Sequence, residues 1–218
     1  MIATITTSEE LDRLWDYDYP LTTEGRFRAA LTTLPPTAPL AVELLTQIAR
    51  ALGLQGQFDA AHATLDQAKT VLTEAMPCAA MRGLLERGRL HYLARTQHER
   101  AYHLFVQALD RAMAQGADFY AIDAVHMLGL VAPLDVQTEW NLKGLAMAER
   151  TADQRARLWR GTLCMNIGLT YYMQGRYDSA LEYLSASEQE LAKHTEGSPV
   201  RRRILQWHIR RTLKALCE

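Results

Sequence analysis

The stretch Leu163–Leu184, LCMNIGLTYYMQGRYDSALEYL, decides the fold. It places small and large residues at characteristic positions: Gly168, Tyr171, Gly175, Tyr177, Ala180 and Leu184. Apolar residues three and four positions apart lie on both sides of Gly175, and this spacing indicates two amphipathic helices. Because a single glycine suits a tight turn, the two helices are predicted to run antiparallel.

The same spacing recurs upstream with other side chains. One copy comprises Gly56, Phe58, Ala61 and Leu65, and its second half recurs at Gly25, Phe27, Ala30 and Leu34. A small residue of the second helix marks successive copies, 40, 40 and 39 residues apart: Ala61, Ala101, Asn141 and Ala180. A fixed period between roughly 20 and 50 residues is typical of a solenoid, in which one supersecondary unit stacks on the next.

Small residues at these positions have a steric reason. The second helix of each unit must approach the first helix closely, and a bulky side chain would push the two apart. The first helices carry matching small residues: Ala49, Gly88, Gly129 and Gly168. Large side chains are expected to fill the remaining space: Phe58, Phe105, Tyr171 and Tyr177. Asn141 departs from the small residue expected at its position.

This pattern resembles the tetratricopeptide (TPR) family, although the family's repeat is about 34 residues long. The longer period here is similar to that of TPR modules attached to bacterial regulators. The resemblance covers roughly residues 20–217. It implies an all-α, right-handed solenoid of antiparallel helix pairs, and a non-enzymatic role in binding a protein or peptide along the concave groove.

We expect a single domain, 1–218, divided into helical units: a half-unit 1–36, helix pairs 39–75, 79–115, 117–151 and 153–193, and a final helix 198–217. Local signals predict where helices begin. Thr7 and Glu10 form a capping box for a short acidic helix that ends near Tyr17. Thr22 or Thr23 begins the next helix, and Asp135 is expected to be an N-cap. Ser198 and Pro199 begin the last helix.

Composition limits the functions that this chain is expected to have. The 218 residues are 48% hydrophobic and carry a formal net charge of -1, which argues against bulk attraction to nucleic acid or membranes. The first residues lack the basic start and apolar run of a signal peptide. Cys78, Cys164 and Cys217 are too far apart in sequence for a metal or redox motif, so we expect free thiols in a reducing compartment. The expected location is the cytoplasm.

The sequence contains no motif typical of catalysis or metal binding. His91, His98 and His103 are close in sequence but fall on different faces of the predicted helices. Asp123 and His126 lie three residues apart, which suits either an acid–base pair or a local contact facing the groove. Neither a glycine-rich phosphate loop nor a nucleophile elbow is present. We therefore expect no enzyme, no metal and no cofactor.

The TPR resemblance also implies which residues line the groove: Arg50, Arg89, Tyr92, Asp123, His126, Met165, Asn166 and Tyr172. Cationic, aromatic and amide groups would suit an extended or helical peptide with acidic and apolar side chains. The alternative is an ordinary solvated face. Asn166 matches one position of the carboxylate clamp that some relatives use, but Gln47, Glu86 and Met127 do not match the others. Binding of chaperone tails is therefore not expected.

The final helix carries two apolar stripes at helical spacing. One stripe is Leu205, Ile209, Leu213 and Leu216, and the other is Val200, Ile204 and Trp207. Basic residues lie between them, and such a helix requires two apolar neighbours. The fourth repeat supplies one neighbour. We hypothesise that another chain supplies the second, giving a homodimer or a docking site that uses Val200, Ile204, Leu205, Trp207, Ile209 and Leu213. The alternative is a solubilising cap, and nucleic-acid binding by this basic helix is a minority interpretation.

Two functions of different classes follow from this pattern. The leading interpretation is an adaptor that binds a protein or peptide in an open groove. The second is a ligand-sensing regulator, similar to the TPR peptide receptors of bacterial transcription, that acts on a partner protein. A sensor should have a pocketed groove and gain thermal stability with one small ligand.

Overall fold

The structure is a computed structural model that describes residues 5–95, 97–193 and 199–217. Within these ranges the chain forms helices joined by turns and contains no strand. The helices are α1 (Ser8–Asp12), α2 (Pro20–Leu31), α3 (Pro39–Leu54), α4 (Phe58–Val71), α5 (Pro77–Leu93), α6 (His98–Ala114), α7 (Asp118–Val131), α8 (Leu134–Arg150), α9 (Gln154–Arg157), α10 (Trp159–Met173), α11 (Tyr177–Ala192) and α12 (Pro199–Cys217). None of these described helices is long and apolar enough to cross a membrane.

The outer ends of the helix pairs α3–α4, α5–α6 and α7–α8 lie within about two residues of the bounds expected for these pairs, which is the usual uncertainty of a helix end, except that α4 ends at Val71 and not at 75. The turns confirm the role of glycine. Gly56, Gly116 and Gly175 have φ angles of 76°, 61° and 74°, which non-glycine residues seldom adopt. Each lies at the end of a helix, where the next backbone N–H returns to a carbonyl of the last turn.

The capping box of α1 is confirmed, but the predicted length of this helix is wrong. The Thr7 hydroxyl accepts from the Glu10 backbone N–H at 3.2 Å, and the Glu10 carboxylate accepts from the Thr7 N–H at 3.3 Å. The helix ends at Asp12 rather than near Tyr17. The backbone N–H of Asp16 donates instead to the Thr23 hydroxyl, a contact that ordinary helical bonding would exclude.

Two other predicted helix starts are wrong. Helix α2 begins at Pro20 rather than at Thr22 or Thr23, because proline fits the first helical position, where its missing N–H is not needed. Asp135 is not an N-cap: Pro133 occupies that position, and Asp135 lies in the first turn of α8. Its carboxylate still favours the helix there, since the N-terminal end of a helix carries partial positive charge. Ser198 lies outside the described residues.

The chain divides into two compact units, Met1–Arg111 and Ala112–Glu218. In the first unit α3 is central and packs against α2, α4 and α5. Its main core is apolar and includes Leu11, Phe27, Leu44, Ile48 and Leu65. In the second unit α10 packs against α8 and α11, and α12 packs against α11. Ile122, Leu163 and Ile167 are fully buried there.

The small residues act as the sequence predicts. A Cβ on Gly88 would lie 2.5 Å from Cε1 of Phe105, and one on Gly168 would lie 2.7 Å from Cγ of Leu184. A Cβ on Gly129 would meet the amide of Asn141. The marker residues of the second helices are all fully buried: Ala61, Ala101, Asn141 and Ala180. The large residues are unequal, since Phe105 and Tyr171 are buried while Phe58 and Tyr177 are half-buried.

Two glycines of α5 make this packing testable. Gly88→Ala forces a methyl group against the Phe105 ring, and such overpacking costs about 1–3 kcal/mol of unfolding free energy. Gly83 has no atom within 4 Å of its ideal Cβ position, so Gly83→Ala should stabilise the protein by about 0.5–1 kcal/mol through helix propensity. Urea unfolding of both variants measures this difference. Equal effects of the two substitutions would contradict the close approach at Gly88.

Candidate functional site

The first helices of the first unit present a stripe of polar residues spaced one turn apart. The members on α3 are Glu43, Gln47 and Arg50, and those on α5 are Arg82, Glu86 and Arg89. Helices α3 and α5 pack side by side, so the two stripes form one surface. We call these six residues the first inner face. It contains Arg50 and Arg89, two of the predicted groove residues.

Charges on the first inner face are matched within the chain. Arg82 Nε lies 3.0 Å from Glu43 Oε2, and Arg82 Nη2 lies 2.8 Å from Asp12 Oδ1. Glu86 Oε1 contacts Arg89 Nη1 at 2.6 Å and Arg50 Nη1 at 3.7 Å. Most of these side chains are buried. Because a buried charge without a partner is costly, this network fixes the arrangement of α3 and α5.

Residues 5–19, the N-terminal segment, lie against this face. The Ser8 hydroxyl donates to Glu43 at 2.7 Å, and Trp15 Nε1 donates to Gln47 Oε1 at 2.9 Å. The Trp15 ring stacks on Tyr17, and the Arg50 guanidinium lies 5.3 and 5.1 Å from the two ring centroids. The first inner face therefore holds a polypeptide of its own chain.

Tyr92, the third groove residue predicted in this unit, is half-buried near the end of α5. Its ring meets that of His98 edge-on, with 5.9 Å between the centroids. Tyr92 thus lies beyond the polar stripe and its ion pairs.

The second unit places polar residues along the corresponding faces of α7 and α10. The Asn166 amide nitrogen lies 2.8 Å from His126 Nδ1 and 3.4 Å from Asn141 Oδ1. The Asn141 amide donates to the carbonyls of Gln137 at 2.9 Å and Gly129 at 3.4 Å. Since the amide nitrogen of Asn166 can only donate, His126 Nδ1 is the acceptor in this contact.

This network explains the unusual Asn141. Gly129 leaves room for the amide, and the hydrogen bonds satisfy its polar atoms in the core. The amide then links the buried contact between α7 and α8 to Asn166 on α10.

An aromatic side chain that the sequence analysis did not single out completes this surface. The Trp159 ring centroid lies 5.0 Å from that of His126 and 6.3 Å from that of Phe119. Trp159, His126 and Met165 are half-buried, whereas Asp123 is only 4% exposed. His126 contacts Trp159 and Asn166; together with Asp123, one turn before His126 on α7, and Met165, next to Asn166 on α10, we call these residues the second inner face. The sequence could have indicated Trp159 by its position, because it is a large aromatic residue at the start of α10, the first helix of its pair.

Tyr172 lies near the final helix. The Arg211 guanidinium lies 5.0 Å from the Tyr172 ring centroid and 5.2 Å from that of Trp207, so it is placed between α10 and α12. Tyr172 also lies 5.4 Å from Tyr177, measured between centroids. A cation held by two aromatic rings stabilises this end of the second unit.

The two apolar stripes of α12 differ in how deeply their side chains are buried. Leu205 is fully buried, but Leu213 is 46% exposed and Leu216 is 38% exposed. The buried seam includes Thr212 instead, because its hydroxyl donates to the His208 carbonyl at 2.9 Å and needs no water. Ile209 is half-buried. The second stripe is exposed: Val200 42%, Ile204 48% and Trp207 51%.

The three cysteines differ in their burial. Burial raises the pKa of the Cys164 thiol to about 11, so this thiol is inert near neutral pH. Cys217 is exposed, Cys78 is half-buried, and none of the three cysteines forms a disulfide. In the described ranges no three His, Cys, Asp or Glu side chains are gathered as metal ligands.

Two histidines give a test of pH dependence. The His62 and His91 rings lie 5.3 Å apart, and burial, followed by Arg87 for His62 and Arg100 for His91, lowers the pKa of each. A lowered pKa means that the unfolded chain takes up protons first as the pH falls below about 6.5. We therefore expect the melting temperature to fall between about pH 7.5 and pH 5.5.

His62→Gln with His91→Gln should flatten this pH profile, leaving a smaller slope from His208, whose pKa burial also lowers. His103→Gln is the control, since that side chain is 66% exposed. A double variant with the slope of the wild type would contradict the assignment.

No family model and no curated protein matches this sequence. Solved structures do match. BtubC (BKLC) from P. vanneervenii aligns with a TM-score of 0.68 and 15% identity, over 97% of this chain and 85% of BtubC. A putative kinesin light chain with nearly identical TPR-like repeats, from Podosopora anserina, aligns with a TM-score of 0.54 and 18% identity, over 87% and 95%. A substituted form of that kinesin light chain gives 0.55 and 18%, over 85% and 92%.

Identities this low establish the fold alone. The helix pairs, their glycine turns and these structural neighbours agree with the expectation from the sequence. The chain has an all-α, TPR-like helical-repeat fold.

Proposed function

We propose that this protein is a non-enzymatic scaffold that binds a protein or peptide partner on the inner faces of its first helices. The observation that carries the proposal is the N-terminal segment on the first inner face. There, Ser8, Asp12 and Trp15 are held by Glu43, Arg82 and Gln47 through hydrogen bonds and an ion pair. Side chains at the positions of the first inner face can therefore hold a polypeptide. TPR-like repeats generally serve protein interaction.

The second inner face is the site that we propose for the partner. His126, Trp159 and Met165 are half-buried, so each offers part of its surface to a ligand. Asn166 is 7% exposed, and its hydrogen bonds to His126 and Asn141 hold the imidazole in place. An indole, a thioether and an oriented imidazole suit a peptide with apolar side chains and backbone groups available for hydrogen bonding.

A charge placed at Met165 tests this site. A random library of peptides about twelve residues long, displayed on phage, is selected on the full chain, and enriched peptides are synthesised. We expect Met165→Glu to weaken their binding at least tenfold, about 1.4 kcal/mol, since a carboxylate would lie against the apolar side chains of the peptide. Fluorescence anisotropy measures the dissociation constants.

The matched control is Met113→Glu, on α6, where the side chain is 58% exposed. This variant should bind as the wild type does. Peptides that bind all three proteins equally would contradict the assignment to the second inner face.

We also propose that the exposed stripe of α12 mediates self-association. Val200, Ile204 and Trp207 lie one turn apart on one side of the helix, each with more than two fifths of its surface exposed. Leu205 belongs to the core, and Ile209 lies beside the core seam, so neither is free to form a contact with another chain without rearrangement. Apolar side chains in such a row favour burial against another apolar surface.

Light scattering tests this proposal. We expect the wild type to be a dimer and Ile204→Asp with Trp207→Asp to be a monomer, because paired carboxylates oppose burial of the stripe. Circular dichroism should show unchanged helix content, since both side chains are exposed. Leu21→Asp, at a residue of α2 that is 70% exposed, is the control. A monomeric wild type, or a double variant that remains dimeric, would rule out this interface.

A further inference from the structure

A cleft of about 550 Å³ lies between α4 and α6, over α5, within the first unit. Its floor on α5 consists of Ala79, Ala80, Gly83 and Leu84. None of the six residues of the first inner face is among the residues that line the cleft. The cleft is therefore separate from the first inner face. Its volume is in the range of ordinary ligand sites, about 300–1,000 Å³.

The cleft is apolar at its base and open to a ligand. Leu72, Leu84 and Leu104 contribute half-buried side chains from three different parts of its lining. Gly83 exposes the α5 backbone, with no atom within 4 Å of its ideal Cβ position. A glycine inside a helix costs about 1 kcal/mol relative to alanine. Gly88, the other glycine of α5, is needed because the Phe105 ring packs against it. Gly83 has no such neighbour, and its missing side chain leaves space above the floor of the cleft.

The rim of the cleft is cationic. Four basic side chains line it, and the single acidic one, Asp66, is paired with Arg87 at 2.6 Å. Lys69, Arg100 and Arg111 are exposed, and within the described part of the chain none of them forms an ion pair. The excess of positive charge is local, because the whole chain has a net charge of -1.

The positions of the cations indicate the size of the ligand. Arg100 and Arg111 lie on α6, eleven residues and therefore about 16 Å apart along the helix. The apolar floor lies between the helices that carry Lys69 and these two arginines. A helix of three turns has this length, and its apolar stripe would cover the leucines while carboxylates on its flanks reach both rims.

We infer that this cleft binds an acidic amphipathic helix of a partner protein. The apolar stripe of that helix packs on Leu72, Leu84 and Leu104, and its carboxylates pair with Lys69, Arg100 and Arg111. Charge complementarity favours an acidic partner over a basic one. The apolar surface of the three leucines favours an amphipathic helix over a phosphate backbone. This inference does not depend on the inner faces, since the cleft and the first inner face share no residue.

The probe is a capped, fluorescent peptide of about fourteen residues, built from glutamate, alanine and leucine, with leucines at helical spacing. The control peptide has the same composition, but its leucines are at scrambled positions. Anisotropy is measured with the full chain. We expect micromolar binding of the patterned peptide, and binding at least tenfold weaker for the scrambled one.

Two variants locate the binding. Arg100→Glu with Arg111→Glu should weaken it at least tenfold, whereas Lys143→Glu with Arg150→Glu, a pair of exposed cations on α8, should leave it unchanged. Gly83→Leu fills the cleft without changing charge, and should also weaken binding while the protein stays folded by circular dichroism.

Three outcomes would overturn the inference. One is no binding of the patterned peptide by the wild type. Another is equal binding by the Gly83→Leu variant, because binding would then need only charge. The third is displacement of the peptide by a single-stranded oligonucleotide at equal concentration, which would assign the rim to phosphates instead.

Discussion

The close approach of paired helices at glycine is the constraint on which the rest of the structure depends. Phe105 lies against Gly88, Asn141 against Gly129 and Leu184 against Gly168. A glycine on the first helix gives the second helix a recess, so the facing residue need not be small. The three recesses hold an aromatic ring, an amide and an aliphatic chain, and therefore the repeat keeps the helix spacing while each contact has its own chemistry.

The recess at Gly129 shows how packing between α7 and α8 affects the side chains of the second inner face. An amide in a core is tolerated only if its polar atoms are bonded. Asn141 meets this condition by bonding to the Gly129 carbonyl and to Asn166, and Asn166 in turn bonds to His126. The position of a half-buried imidazole thus depends on a glycine in the preceding contact. Polar residues in the interior of this unit place side chains on its inner face.

Sequence spacing predicted the helices because turns and packing at small residues are local. It failed where distant residues decide. Helix α1 ends early because Asp16 bonds to Thr23 and Trp15 to Gln47, contacts that no periodicity records. Arg50 and Arg89 were selected as groove residues from the TPR resemblance, but the structure matches their charges with Glu86. Helical spacing predicts which face of a helix a side chain occupies. Residues distant in sequence decide whether that side chain is already paired within the protein.

Helix α5 borders both kinds of surface: one where the cations are paired within the protein, and one where neighbouring cations are not. On its inner side Arg82 and Arg89 contact carboxylates at 2.6 to 3.0 Å, and the N-terminal segment reaches Arg82 through Asp12. On the cleft side Arg87 is paired with Asp66, but the neighbouring Lys69, Arg100 and Arg111 are not matched by acids along the lining. A cation that is already paired gains little from a new partner. An unmatched cation gains a counter-charge, and exclusion of water by the neighbouring apolar surface strengthens that pairing. The cleft proposed as a binding site therefore lies on a part of α5 that the repeat pattern does not mark.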